Sequence, residues 1–226
     1  MRFPKILLGT LIAVASAGAF AQTAQLKVIG SITPSACTPV FTGGDTIDLG
    51  KISASTLSTT DFTYVGHGTS SLTITCDAPT RVAVTTADDR RAAGTPTGIA
   101  AFIAAAAGLP VVPLDNQISN FALVGTNQVG GYQLRLPPGA ATGDGNAVDS
   151  IISSNGGPWA LGSGLPSQLN VRRHSWATPD TLVPTAHTVI VQPITVDAAI
   201  NKVVNLPALT NEVPLDGQMT ISIVYL

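Results

Sequence analysis

The sequence predicts an all-β fold, a sandwich of many short strands. Three observations carry that expectation. Charged residues make up 11% of the 226, while Gly and Pro number 22 and 16. That is a composition of turns and uncharged Ser, Thr, Ala and Val, unlike a helical enzyme rich in Lys, Glu and Arg. Apolar side chains also recur at every second position in one segment after another, the period of a half-buried strand. The most regular example is the end of the sequence: Met219, Ile221, Ile223 and Tyr225 share one face, and Thr220, Ser222, Val224 and Leu226 the other. Chain ends usually fray, so a strand written this clearly over the last residues points to a role for it.

Residues 1–21 read as an export signal. Met1-Arg2-Phe3-Pro4-Lys5 is the basic start, residues 6–17 the apolar run, and Ala19-Phe20-Ala21 a small-x-small cleavage site. The run is short for a retained anchor, which is the alternative. Cleavage leaves residues 22–226 as the mature chain, with nine of the 11 basic residues against 13 acids, about −4 in net charge. No basic surface remains to argue for nucleic acid or an anionic membrane. In an exported chain the two cysteines, Cys37 and Cys76, read as one disulfide, free buried thiols being the alternative.

The elements follow in order. Residues 22–33 alternate as a long strand, with Ala24, Leu26 and Val28 on one face, and Pro34 ends it. Thr42-Gly43-Gly44-Asp45 is a turn, residues 47–52 a short strand, and residues 53–60 a polar connection. Leu72, Ile74 and Cys76 mark the next strand, Asp77-Ala78-Pro79 turns the chain, and residues 81–86 return. The middle is irregular: Asp88-Asp89-Arg90-Arg91 as a charged loop tip, a short helix over 99–108, strands over 121–124 and 131–136, and loops at 137–145 and 156–159. Residues 169–176 read as a strand. Residues 187–196 are apolar on both faces, as in a buried central strand, with a bulge or break expected at Pro193. A short strand over 203–206 and a turn at Pro214-Leu215-Asp216-Gly217 lead to the final strand.

Convergent catalytic groups are scarce. His67, His174 and His187 have no metal-ligand spacing. There is no Gly-x-Ser-x-Gly elbow and no glycine-rich phosphate loop. Asp88-Asp89 with Asp144 as a carboxylate pair or calcium site, Trp159 with Trp176 as a sugar platform, and Arg172-Arg173-His174 as a basic patch are the candidates. Each has a plainer reading as loop tip, packing or wetted face. No enzyme, cofactor or metal is expected.

The layout resembles the pilus subunits of the chaperone–usher pathway. The resemblance rests on the export signal, Gly30-Ser31-Ile32-Thr33-Pro34-Ser35-Ala36-Cys37, Ile47-Asp48-Leu49-Gly50, Leu72-Thr73-Ile74-Thr75-Cys76, and a last strand preceded by Gly217 and carrying penultimate Tyr225. It covers roughly residues 22–86 and 187–226; residues 87–186 match nothing in that family and are longer than it needs.

The resemblance implies an incomplete immunoglobulin-like sandwich with an enlarged irregular middle section, closed by a Cys37–Cys76 disulfide. It implies an apolar groove beside the last strand, filled first by a periplasmic chaperone and then, at an outer-membrane usher, by the N-terminal segment of another subunit. Gly217, Met219, Ile221, Ile223, Tyr225 and Leu226 would form the acceptor edge and chaperone-binding strand. Residues 22–29 would be the donor, with Ala24, Leu26 and Val28 inward. Only about fifteen residues separate Gln22 from Cys37, so that donor is short. The expected function is a structural subunit of a surface fimbria. The alternatives are a minor or tip adhesin that binds a host receptor or glycan, and an unrelated exported β-sandwich protein.

Overall fold

The computed structural model describes residues 26–31 and 35–226. The export signal and Ala24 lie outside the described residues. Residues 35–226 form one compact unit, while residues 26–31 belong to a separate one.

Two antiparallel sheets make the sandwich. In the first, β1 (Cys37–Thr42) is an edge strand on β2 (Thr63–Thr80). Next come the long β11 (His187–Ile200), β5 (Gly130–Arg135) and β4 (Ser119–Asn120). A small hairpin of β6 (Thr142–Gly143) and β7 (Asn146–Ala147) extends β11 on the β5 side. The second sheet runs β12 (Met219–Tyr225), β3 (Val82–Asp88), β10 (Arg172–Ala177), β8 (Asp149–Ser154) and β9 (Ala160–Leu161). The chain changes sheet at Arg81, between β2 and β3. The all-β sandwich expected from composition and alternation is what the chain forms.

The inner faces fit the pattern that predicts them. Leu72, Ile74 and Cys76 of β2, Val82 and Val84 of β3, and Ile190, Ile194 and Val196 of β11 meet in one core. Trp176 is buried between the sheets, and its indole N–H donates to Gln192 Oε1 across the sandwich at 3.0 Å. Burying an indole requires such a partner. The helix expected over 99–108 is α1 (Ile99–Ala106), which packs Ile99 and Ile103 on Ile118 and Ala199 in a second cluster. Cys37 and Cys76 are bonded and stand opposite each other in the β1–β2 register.

Several elements differ from the sequence reading. Residues 26–31 form no strand, and Leu26 and Val28 are 90% and 87% exposed; alternation makes a segment strand-competent, but a strand needs a neighbour to pair with. Instead β1 begins at Cys37, in a stretch that Pro39 disguises. Proline is tolerated there because β1 is an edge. Residues 47–49 keep the alternation, but Gly50 turns the chain at φ 70° and brings Ile52 to the core out of phase with Ile47 and Leu49; the stretch takes no ladder partner among the described residues. Residues 121–124 make only isolated bridges, and 203–206 is a 3-10 turn, Val203–Asn205. The strands β4, β6, β7, β8 and β9 have no counterpart in the sequence reading, and β6 lies within 137–145, read there as a loop. The register of β11 on β2 runs through Pro193 without a shift, the shifts falling at 187/189 and 198/199. On its other side β6 reaches Val191 and β5 starts opposite Thr195. Proline thus sits where that second ladder is interrupted and a missing N–H costs least.

The disulfide closes a loop with a sequence separation of 39, so it restrains the unfolded chain strongly. Replacing both cysteines by serine is expected to lower the unfolding free energy by about 2–5 kcal/mol, read as a lower urea midpoint against the oxidised protein.

Candidate functional site

The last strand builds the site. β12 pairs residue for residue with β3, from Met219 opposite Asp88 to Tyr225 opposite Val82. It stands at the end of its sheet, and among the described residues nothing pairs with its other flank. Met219, Ile221 and Ile223 point inward but stay only half-buried against the core. What leaves Met219 and Ile221 half covered is an apolar groove of about 780 Å³ between the sheets. Its floor is Tyr132 and Leu134 of β5 with Ile194 and Val196 of β11. One wall is Met219 and Ile221; the facing lip is the stretch 47–52, which turns at Gly50. The lip lies tight on the first sheet: a Cβ added at Gly68 of β2 would overlap the Ile47 side chain, so glycine there is a requirement of close approach.

Both ends of the strand are tied down. At its start, Gly217 bridges Phe121, and a Cβ there would come within 2.6 Å of the Tyr132 ring. The rings of Phe121 and Tyr132 pack at 5.5 Å and 40°. Around them Arg90 donates twice to the Asp216 carboxylate, at 2.8 and 3.0 Å, and Thr220 Oγ1 donates to Asp89 at 2.9 Å. At its far end the Tyr225 hydroxyl accepts from the Cys37 backbone N–H at 2.8 Å, which joins the second sheet to the first beside the disulfide. The Leu226 N–H donates to Arg81 O. The Leu226 side chain, like that of Tyr225, remains about half exposed.

The structure thus gathers Gly217, Met219 and Ile221 along one groove, while Ile223, Tyr225 and Leu226 continue β12 beyond its lining. Of the donor residues, Leu26 and Val28 are exposed in the separate N-terminal unit. The lip residues Ile47, Leu49 and Ile52 were legible as apolar alternation, though not as part of a site. The floor from β5 and β11 could not be read from local sequence, because it is assembled by pairing at long range.

The other candidates change character. Asp88 is not at an exposed loop tip. It ends β3 and is buried, accepting from the backbone N–H of Arg90 and from the backbone and side-chain N–H groups of Asn120. Burial pushes its carboxyl above the usual range despite those donors. Asp144 accepts from the N–H groups of Thr188 and Val189 and faces His187 Nδ1 at 3.3 Å; these bonds, Val189 first, lower its pKa. It therefore holds the start of β11, well apart in role from Asp88 and Asp89. Among the described residues no group of three or more His, Cys, Asp and Glu is placed to hold a metal. Trp176 is in the core and cannot offer a stacking face to a sugar. The expected basic patch is broken up: Arg173 is exposed, Arg172 half-buried and His174 buried. Arg172 donates to Leu165 O at 2.8 Å, and His174 is 2% exposed with neither ring nitrogen hydrogen-bonded.

An antiparallel two-sheet sandwich with an apolar groove open beside its last strand defines the class: a β-domain with an unpaired, apolar-flanked edge. The chain belongs to the family of Protein GltF of Escherichia coli (strain K12), to which it is 31% identical over 227 residues, covering 89% of this chain and 88% of that protein. It is also 25% identical over 241 residues to the uncharacterized protein YhcF of the same organism, covering 94% and 97% of the two chains. A family described as protein of unknown function (DUF1120) matches residues 26–122, which include the lip and all of β1, β2 and β3.

Two expectations follow from the geometry. Gly217→Val drives a side chain into Tyr132 and Phe121; it should lower the thermal midpoint by several degrees and more than Gln218→Val, its exposed neighbour. His174 gives a pH dependence. Burial, with a smaller contribution from Arg172, pushes its imidazole from the ordinary 6.5 down to about 3. The unfolded chain binds that proton more readily, so the contribution is complete above about pH 6.5 and is lost progressively toward pH 3. His174→Leu should flatten the acid slope of urea-unfolding stability across that window.

Proposed function

We propose that the chain is a structural, non-enzymatic subunit of a surface fimbria, exported through the periplasm and assembled by donor-strand complementation. The observation that carries this reading is the groove, with the free edge of β12 on one side and a lip that joins no ladder on the other. β12 offers a free backbone edge, residues 47–52 run along the facing lip, and the floor between them is apolar. A strand laid in that space would pair with backbone on both sides and bury alternate apolar side chains. β12 spans seven residues, about 23 Å at strand rise, long enough for a short donor.

Residues 22–29 have the required alternation. Full burial of Leu26 and Val28 in another subunit's groove would contribute about 1.5–3 kcal/mol each. An edge of this kind left open is prone to indiscriminate pairing, which is the physical reason for a chaperone strand to occupy it until an outer-membrane usher brings the next subunit. The exposed C-terminal end of β12, at Tyr225 and Leu226, is where the resemblance places the chaperone's grip on the terminal carboxylate. A tip-adhesin role draws no support from Trp176, which is buried.

Deleting residues 22–29 tests the reading. The shortened chain should still form a stoichiometric complex with its periplasmic chaperone, seen by size-exclusion chromatography, and should fail to join a preceding subunit. A shortened chain that assembles normally contradicts it.

A further inference from the structure

The groove and the segment proposed to fill it differ in charge. Residues 22–31 contain one charged side chain, Lys27. The rim of the groove carries Asp45, Asp48, Lys51 and Glu212, all exposed. None of these four is in an ion pair among the described residues, whereas Asp216 is held by Arg90. The rim is therefore net acidic, and the donor segment is basic.

The period of two then places the charges. On the lip, Ile47 and Leu49 turn to the core, so Asp48 stands between them on the outer face. In the donor segment, Lys27 stands between Leu26 and Val28. A strand that turns Leu26 and Val28 into the groove, level with Ile47 and Leu49, brings Lys27 beside Asp48 on the outer surface, at the spacing of a cross-strand pair. The Asp48 carboxylate is already positioned, since its Oδ1 accepts from the Gly50 N–H at 2.8 Å. On the opposite flank the outward residues of β12 are Thr220, Ser222 and Val224, which offer lysine no charge. A slip of one residue would turn Lys27 into the apolar groove, a cost no ammonium group recovers there. A slip of two would carry it past Asp48.

We propose that the occupant of the groove is a second copy of this chain, seated with its Lys27 against Asp48, and that this pair sets the register and favours self-assembly over other apolar segments. The proposal rests on the strand-acceptor reading above. It adds the identity of the partner and the residues that select it.

The test uses the disulfide-bonded mature chain and synthetic peptides of residues 22–31, with dissociation constants from fluorescence titration. The native peptide should bind, and its Lys27→Glu form should bind about fivefold to tenfold more weakly. Asp48→Lys in the protein should weaken the native peptide to a similar degree and restore the Lys27→Glu peptide to within about twofold of the native pairing. A merely structural role for Asp48 would weaken both peptides alike. Equal binding of the two peptides to the native chain, or absence of the restored pairing, overturns the Lys27–Asp48 selection while leaving the groove reading intact. If neither these peptides nor an uncharged alternating apolar peptide of the same length binds, the acceptor reading itself falls.

Discussion

A row of backbone N–H and C=O groups along β12, paired on one flank only and bordered by apolar side chains, is the constraint on which the rest of this molecule depends. Water can satisfy the polar row. It cannot favourably cover Met219, Ile221 and the Tyr132–Leu134 floor beneath them. An isolated edge strand is ordinary, and a half-exposed core is ordinary near a chain end. The two side by side are what sheet proteins normally avoid. Here the arrangement is held in place at both ends: by Gly217 packed on Phe121 and Tyr132, and by the Tyr225 hydroxyl on the Cys37 N–H.

The remaining architecture serves to keep that groove open and shaped. The disulfide pins edge strand β1 to β2, and Tyr225 links that same point to the second sheet. The Trp176–Gln192 bond and the core around Ile190 and Val84 fix the sheets elsewhere. Residues 47–52 pack through Ile47 onto Gly68 and join no ladder, the Gly50 N–H being taken by Asp48 Oδ1. A collapse of the lip onto β12 would close the gap. The Arg90–Asp216 and Asp89–Thr220 contacts hold the start of β12 away from it. The enlarged middle adds α1 and the β8–β9 edge on other faces of the sandwich, so its extra length leaves the groove unobstructed.

Much of this was legible in the sequence wherever a side chain's role is local. Alternation located β2, β3 and β12, a run apolar on both faces located β11, an apolar Ala-rich run located α1, and an even cysteine count located the disulfide. Glycine at 217 stood out before its packing on Tyr132 was visible. What local pattern could not give was pairing. Residues 22–33 and 47–52 alternate as well as β12 does, yet the described parts of both lack a neighbour and form no ladder. Conversely, β1 pairs over six residues despite Pro39, because an edge tolerates it. The charged candidates escape local reading for the same reason, whereas Trp176 takes the packing role that is its plainer reading. Asp88, His174 and Trp176 are buried by strands distant in sequence, and no short window shows that burial.

Amide hydrogen exchange, followed by mass spectrometry or NMR on the mature chain alone and after assembly, tests the central claim most directly. An empty acceptor groove predicts that outward-pointing amides of residues 219–225 and those of 47–52 exchange rapidly in the lone chain. On assembly they should become protected together with residues 22–29. Strong protection of both flanks in the lone monomer, or assembly that leaves them exchanging as before, would contradict it.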